Sequence, residues 1–365
     1  VITISLCMIV KNEEDTLPRC LSSVAGIADE IIIVDTGSTD RTESEAKKFT
    51  DLVYRFEWID DFAAARNYAF SLATQAYILW LDADDVLKPD DRLKFLELKK
   101  RLDPSVDAVS MELILSEDRY GNVSARLRRN RLVKRERQFR WIGAVHEYLE
   151  VYGNILNGDI AVTHRSVRHD SDRNINIYEK RLAAGERFSP RDLYYYANEL
   201  KDHGRLKEAA ARYDEFLVGG LGWIEDNIAA CGKLADCYHG LRDKKNELAS
   251  ALRSFEYGAP RAEFCCRLGY SFLQANDVRT AIFWYELAAG MKPASDGWGL
   301  SSPICSTWLP HLQLCVCYDR LGDFESAFRH NEAARGYNPD HPGILHNRNY
   351  LLHKLGGSTN SGGKE

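Results

Sequence analysis

The hydrophobic pattern changes period halfway along the chain. Residues 2–10, 30–35, 52–56 and 77–82 hold short apolar blocks, including ISLCMIV, EIIIVD and YILWLD, the form of strands buried on both faces. Between them, residues 14–27, 39–49 and 61–74 carry helical spacing. Strands alternating with helices predict an α/β fold with a mostly parallel sheet covered on both sides. Ligands of such sheets bind beyond the carboxyl ends of the strands. Asp35 and the run Asp82-Ala83-Asp84-Asp85 both end strands, so they are expected on one edge.

From about residue 174 the pattern turns helical, with Ala, Leu, Tyr and Gly returning at long intervals. Gly269, Ala281 and Pro293, with Leu268, Phe272, Tyr285 and Ala288, fit the tetratricopeptide (TPR) pattern of paired helices. Cys315, Ala327 and Pro339, with Leu314, Tyr318, Gly322 and Ala334, fit it again. Ala197, Gly204, Ala209 and Tyr213 make an earlier copy, and Ala235 with Tyr238 a weaker one. Residues 296–302 (DGWGLSS) read as an inserted loop, and the Gly- and Ser-rich residues 356–363 as a flexible tail. A generic helical bundle is the alternative. The expected division is 1–170, 171–356 and a tail at 357–365.

Composition narrows the class. The 365 residues provide for two or three domains, and 45% hydrophobic with 28% charged residues fits a globular chain. A net charge of −6 argues against nucleic acid as a partner. The nine cysteines form no C-x-x-C pair, which argues against a zinc site and a disulfide framework and for a reducing cytoplasm. Residues 1–10 open a strand without a basic leader, so they do not read as a signal peptide. No apolar stretch reaches the ~18 residues of a membrane span.

Three acids after a buried strand exceed what a helix cap needs. Carboxylates there suit Mg²⁺ or Mn²⁺, hard cations that prefer oxygen and can neutralise a departing diphosphate. Asp82 and Asp84 point one way if the strand persists, and Asp85 either joins them or caps the following helix. The segment VDTGSTDRT (34–42) is a strand end, a small-residue turn and a helix start. Asp35 can accept a hydrogen bond from a base N–H there. The turn around Ser38 can hold ribose or phosphate, or simply cap the helix.

Taken in order, ISLCMIVKNEE (4–14), VDTGSTDRT (34–42), FAAARN (62–67) and LDADD (81–85) resemble the family 2 glycosyltransferases over roughly residues 1–170. The resemblance implies a GT-A (Rossmann-like) domain and an inverting transfer from a nucleotide sugar. It implies that Asp35 contacts uracil, Arg66 helps hold the nucleotide, Asp84 ligates the metal and Asp82 supports the donor. Cys7 and Ile9 of the first strand, with Asn12 or Glu14, are then expected to line the nucleotide pocket.

Inversion needs a base for the acceptor's proton. The block Trp141-Ile142-Gly143-Ala144-Val145-His146-Glu147 supplies Glu147, with His146 beside it and Glu136 and Glu150 as competitors. This block also resembles that of bacteriocin-peptide glycosyltransferases of the sublancin type, which carry helical repeats too. His164 is a candidate metal ligand or phosphate contact, against a purely structural histidine. Within the basic residues 126–140 (RLRRNRLVKRERQFR), Arg131 is the candidate for the pyrophosphate. A solvated charged face or acceptor loop is expected for most of that segment.

The leading expectation is an inverting, metal-dependent transferase. It moves a hexose from a UDP-sugar, UDP-glucose ahead of UDP-N-acetylglucosamine, to Cys sulfur or Ser/Thr oxygen of a peptide or protein. The repeats are the expected place for the acceptor and for homodimer contacts. Two alternatives are a transferase acting on a cell-wall or capsular glycan and a non-catalytic TPR scaffold.

Overall fold

A computed structural model describes residues 1–165, 171–292, 298–299 and 301–358. It divides into two compact units, Val1–Leu115 with Leu127–Glu199, and Ser116–Arg126 with Leu200–Glu365. The division falls later than the expected residue 170 because the first helices after the sheet cluster with it.

The first unit is built on β1 (Ile4–Val10), α1 (Leu17–Ser23), β2 (Glu30–Asp35), α2 (Thr42–Ala46), β3 (Val53–Arg55), α3 (Phe62–Ser71) and β4 (Tyr77–Trp80). Then come β5 (Asp85–Leu87), α4 (Pro89–Arg101), β6 (Ala108–Glu117), β7 (Val123–Lys134), β8 (Arg140–Ile142), β9 (Tyr148–Glu150) and β10 (Ile155–His164). Helices α5 (Ser171–Ala183) and α6 (Pro190–Asp202) follow, and the division cuts β6, β7 and α6. The elements expected before residue 82 are all present, with shorter helices.

The eight-stranded sheet runs β3-β2-β1-β4-β7-β6-β10-β5, and β8-β9 form a separate pair. β1 pairs parallel with β2 and β4, and β2 with β3. The sheet is mixed: β6 and β10 add a further parallel pair, while β7 runs antiparallel to β4 and β5 antiparallel to β10.

Pleating sends the apolar side chains of β1 into two layers. Ile4, Leu6, Met8 and Val10 enter one apolar layer with Leu17, Leu21 and Phe95 of α1 and α4. Cys7 and Ile9 enter the opposite layer with Ala69 of α3, Trp80 and Trp141. The first layer is covered by α1 and α4, the second by α3 and the β8–β9 pair.

The expected solvated segment 126–140 is a correction. Most of it is β7, with Leu132 and Val133 buried in the two layers. Arg128 and Arg131 are buried as well, because each finds compensation. Arg128 donates to Ser110 and to Gly158 O, and Arg131 pairs with Asp85.

The second unit stacks α7 (Leu206–Gly219), α8 (Ile224–Gly240), α9 (Lys244–Arg253), α10 (Ala262–Gln274), α11 (Val278–Ala289), α12 (Trp308–Arg320), α13 (Phe324–Tyr337) and α14 (Pro342–Ser358). One turn recurs four times among the described residues. Gly204, Arg242, Asn276 and Gly322 take φ of 72°, 60°, 60° and 77°. After each, the next N–H bonds back five residues, from Arg205, Asp243, Asp277 and Asp323 to Leu200, Tyr238, Phe272 and Tyr318. The last three then cap the following helix through their carboxylates. This recurrence establishes TPR-like helical repeats.

The small anchor Gly269 lets Tyr285 approach, since a Cβ there would stand 2.9 Å from the ring. Pro293 and residues 296, 297 and 300 of the expected insertion lie outside the described residues. The expected tail is corrected in part, because α14 runs on to Ser358 and only 359–365 lie outside the description.

Candidate active site

β4 ends at Trp80, so Asp82 and Asp84 do not share a strand face. The chain turns instead. Asp85 N–H donates to Asp82 O at 3.0 Å, and Asp82 N–H donates to Asp85 Oδ2 at 3.1 Å. Asp85 therefore opens β5 fully buried and does not cap α4, whose N-cap is Lys88. The turn sends Asp82 to one side and Asp84 to the other.

On one side, Asp84 and Asp85 meet His164 at the end of β10. His164 Nδ1 lies 3.3 Å from Asp84 and 3.4 Å from Asp85, and donor atoms of all three fall within 4.8 Å of one another. Hydrogen bonds to the two carboxylates push the imidazole up to about 10. The set fits a divalent cation that accepts oxygen and one nitrogen, which suits Mn²⁺ better than Mg²⁺. Glu13 is a neighbour that sequence reasoning passed over. Burial pushes its carboxyl up, against a hydrogen bond from Thr16, and the charges of Asp84 and Asp82 add to the rise.

On the other side, Asp82 accepts from Arg66 Nη2 at 2.6 Å. Burial raises its carboxyl, but Arg66 and Arg131 bring it down to about 2. Arg66 also donates from Nε to Glu147 at 2.5 Å, and its guanidinium lies 5.0 and 4.8 Å from the rings of Trp80 and Trp141. Burial disfavours its charge, yet Asp82 and Glu147 hold its pKa above the ordinary value. Arg66 thus bridges the acid turn to the His146-Glu147 block. Asn67 fastens the same block, since its side chain donates to Trp141 O and accepts from Trp141 N–H, both at 2.9 Å.

Arg131 is fully buried, with its guanidinium 3.9 Å from the Trp80 ring and 2.9 Å from Asp85. Burial and these contacts engage its guanidinium with Asp85 and Trp80. Of the competing acids, Glu136 pairs with Lys134 and remains 68% exposed, while Glu150 is exposed on β9.

The other cluster gathers at the ends of β1 and β2. Asp35 Oδ1 accepts from the N–H groups of Gly37 and Ser38, both at 2.8 Å, and Gly37 takes φ 103° to make that turn. Asp35 Oδ2 is buried with no hydrogen-bond partner. Such an orphan acceptor is open to a donor from water or a ligand. Ser38 Oγ accepts from Asn12 N–H, and Asn12 Oδ1 accepts from Thr39 N–H. Asn12 and Ser38 thus hold each other's loops. Glu14 turns outward to Arg41, whose hydrogen bonds hold its carboxyl low. Cys7 donates its thiol to Ala69 O inside the apolar layer, and burial pushes that thiol up. It packs the wall behind the pocket, with Ile9 half-buried beside it.

His146 is 2.7 Å from Glu199, a partner 53 residues away for which the sequence carries no signal.

Comparison with known proteins agrees with this layout. Residues 5–151 match the family described as glycosyl transferase family 2. A TPR repeat-containing protein of Synechococcus elongatus is 42% identical over 132 residues, 35% of this chain and 32% of that protein. The SPbeta prophage-derived glycosyltransferase SunS of Bacillus subtilis is 29% identical over 235 residues, 59% of this chain and 54% of that one. The chain thus spans between a third and about half the length of these relatives. Among solved structures, a tetratricopeptide repeat protein of Parabacteroides merdae is similar at 14% identity and a TM-score of 0.40, covering 51% of this chain and 68% of that chain. The repeat form therefore rests on the chain's own recurring turns. The match to family 2 glycosyl transferases thus falls on residues 5–151, which hold the acid turn and most of the described sheet, on a chain that continues into TPR-like helical repeats.

Proposed function

We propose that the protein is an inverting glycosyltransferase that moves a hexose from a UDP-sugar to a side chain of a peptide or protein. The observation that carries the proposal is the pairing of two features on the matched domain. The Asp84–Asp85–His164 donor set stands after β4, and the partnerless Asp35 Oδ2 stands after the adjoining parallel β1–β2 pair.

In this reading Asp35 accepts the N–H of uracil, a donor that its buried oxygen lacks. Asp84, Asp85 and His164 would hold a divalent cation, Mn²⁺ or Mg²⁺. The cation supplies neutralisation of the diphosphate charge when bound. Asp82 stays ionised through Arg66 and Arg131, so its carboxylate can accept hydroxyls of the sugar. Trp80 and Trp141 stack on the Arg66 guanidinium and keep it in place. The acceptor's proton passes to one of the neighbours His146 and Glu147 as the acceptor atom attacks the anomeric carbon.

A polypeptide acceptor is supported by the helical repeats, because stacked helix pairs offer an extended surface. The resemblance to bacteriocin-peptide transferases points the same way, with UDP-glucose as the favoured donor and Cys, Ser or Thr as the acceptor residue. The test is mass spectrometry of Cys- and Ser/Thr-containing peptides incubated with the protein, Mn²⁺ and UDP-glucose or UDP-N-acetylglucosamine. A gain of one hexose, or of one N-acetylhexosamine, on a peptide supports the proposal. Transfer to oligosaccharides with none to peptides overturns its acceptor half.

A further inference from the structure

His146 and Glu147 are neighbours in sequence with different commitments. Glu147 puts its carboxylate on Arg66 Nε at 2.5 Å and keeps only 10% of its side chain exposed. It serves there as the counter-ion that holds Arg66 against Asp82. His146 keeps 30% of its side chain exposed and places Nε2 2.7 Å from Glu199 Oε1. That oxygen also accepts from Asn174 Nδ2 at 3.1 Å, and Glu199 is buried.

Helix α6 grips His146 at two more points. Tyr195 stacks on the imidazole, with centroids 4.3 Å apart and planes 16° apart. Arg191 donates from Nε and Nη2 to His146 O at 3.1 and 2.9 Å. The backbone of His146 takes φ 51°, a left-handed conformation unusual for a residue that is not glycine. Strain of about 1 kcal/mol or more is retained only where surrounding contacts enforce it. The groups facing the ring are thus Glu199, Tyr195 and Arg191 from α6 and Asn174 from α5, with Glu147 and Tyr148 adjoining in its own segment.

We propose that Glu199 is a positioning residue that holds His146 as the proton acceptor of the transfer, an assignment that rests on the glycosyltransferase reading above. A carboxylate on Nε2 fixes the tautomer with hydrogen on Nε2, which leaves the basic lone pair on Nδ1. In the transfer, the acceptor's S–H or O–H proton moves to His146 Nδ1 as its heteroatom bonds to the anomeric carbon. The bond from that carbon to the diphosphate oxygen breaks, and UDP leaves with the electron pair. The imidazolium that forms is met by the Glu199 carboxylate, which stabilises the charge as it develops.

The test uses the full chain with Mn²⁺ and UDP-glucose, reading UDP release with water as the acceptor, so that no peptide need be known. Glu199→Gln is expected to lower kcat by about 10-fold or more while KM for UDP-glucose stays within about twofold. The acid limb of its kcat–pH profile moves to lower pH, since losing the carboxylate charge disfavours the imidazolium. Glu199→Asp restores part of the limb, and His146→Gln removes it. Calorimetric UDP binding by each variant shows that its donor site is intact. Wild-type kcat and pH profile in Glu199→Gln overturn the assignment and leave the transferase reading standing. Absence of Mn²⁺-dependent UDP release from the wild type overturns both.

Discussion

Asp35→Asn isolates the donor's base from the rest of the site. The substitution keeps an oxygen that can accept from Gly37 and Ser38 at 2.8 Å and converts the partnerless Oδ2 into an NH₂ donor. The turn loses the charge assistance on two hydrogen bonds but sheds a buried carboxylate oxygen without a partner. The net change in folding stability is therefore expected within about 1 kcal/mol. Binding should respond far more. A hydrogen bond to an ionised acceptor is worth about 1.5–3 kcal/mol, and the new donor faces the uracil N–H. UDP should bind about 10- to 100-fold more weakly by titration calorimetry with Mn²⁺ present. Uridine, which has no phosphate, should lose the same factor, because the contact is to the base. A uridine or UDP affinity within about twofold of wild type, with unchanged thermal unfolding, would make Asp35 only the holder of its turn.

Three other perturbations separate site from scaffold. Arg66→Met strips the counter-ion from Asp82 and from Glu147, which is 10% exposed, and should cost about 3 kcal/mol in urea unfolding. A change under about 1 kcal/mol would mean that the bridge contributes little. Asp82 has a folded pKa of about 2 against about 3.9 in an unfolded chain, so its stabilising share is full above that upper value. It is lost as pH falls through about 2, and the stability gap between wild type and Asp82→Asn should close over that interval; a gap constant down to pH 2 contradicts the pairing. Gly269→Val drives side-chain atoms into Tyr285 and should destabilise the helical unit by about 1–3 kcal/mol in thermal unfolding, whereas an unchanged transition would contradict the packing of that repeat.

Much of this was legible in the sequence because burial on both faces writes an unbroken apolar run. β1, β2 and β4 follow from such runs, and the acids at their ends follow from the strand rule. The repeats were legible because each needs a small residue where helices touch, as at Gly269 and Ala281. β7 was hidden by its arginines. A strand with Arg128 and Arg131 buried looks like a solvated face until Ser110, Gly158 and Asp85 are seen to compensate them. The two roles within the acid turn were hidden for a related reason. Whether Asp85 caps a helix or faces His164 depends on β5 pairing with β10, a contact 79 residues away in sequence. Glu199 carried no local signal, since its partner His146 lies in a different element.

Metal-dependent transfer at Asp84 is tested by nucleotide release from a panel of nucleotide sugars, with Mn²⁺ and with a chelator, by the wild type and Asp84→Ala. UDP is expected to be released from a UDP-hexose with Mn²⁺, and that release to be lost with chelator and in a folded Asp84→Ala variant. No release from any sugar in the panel, or release indifferent to both the chelator and Asp84, would contradict it.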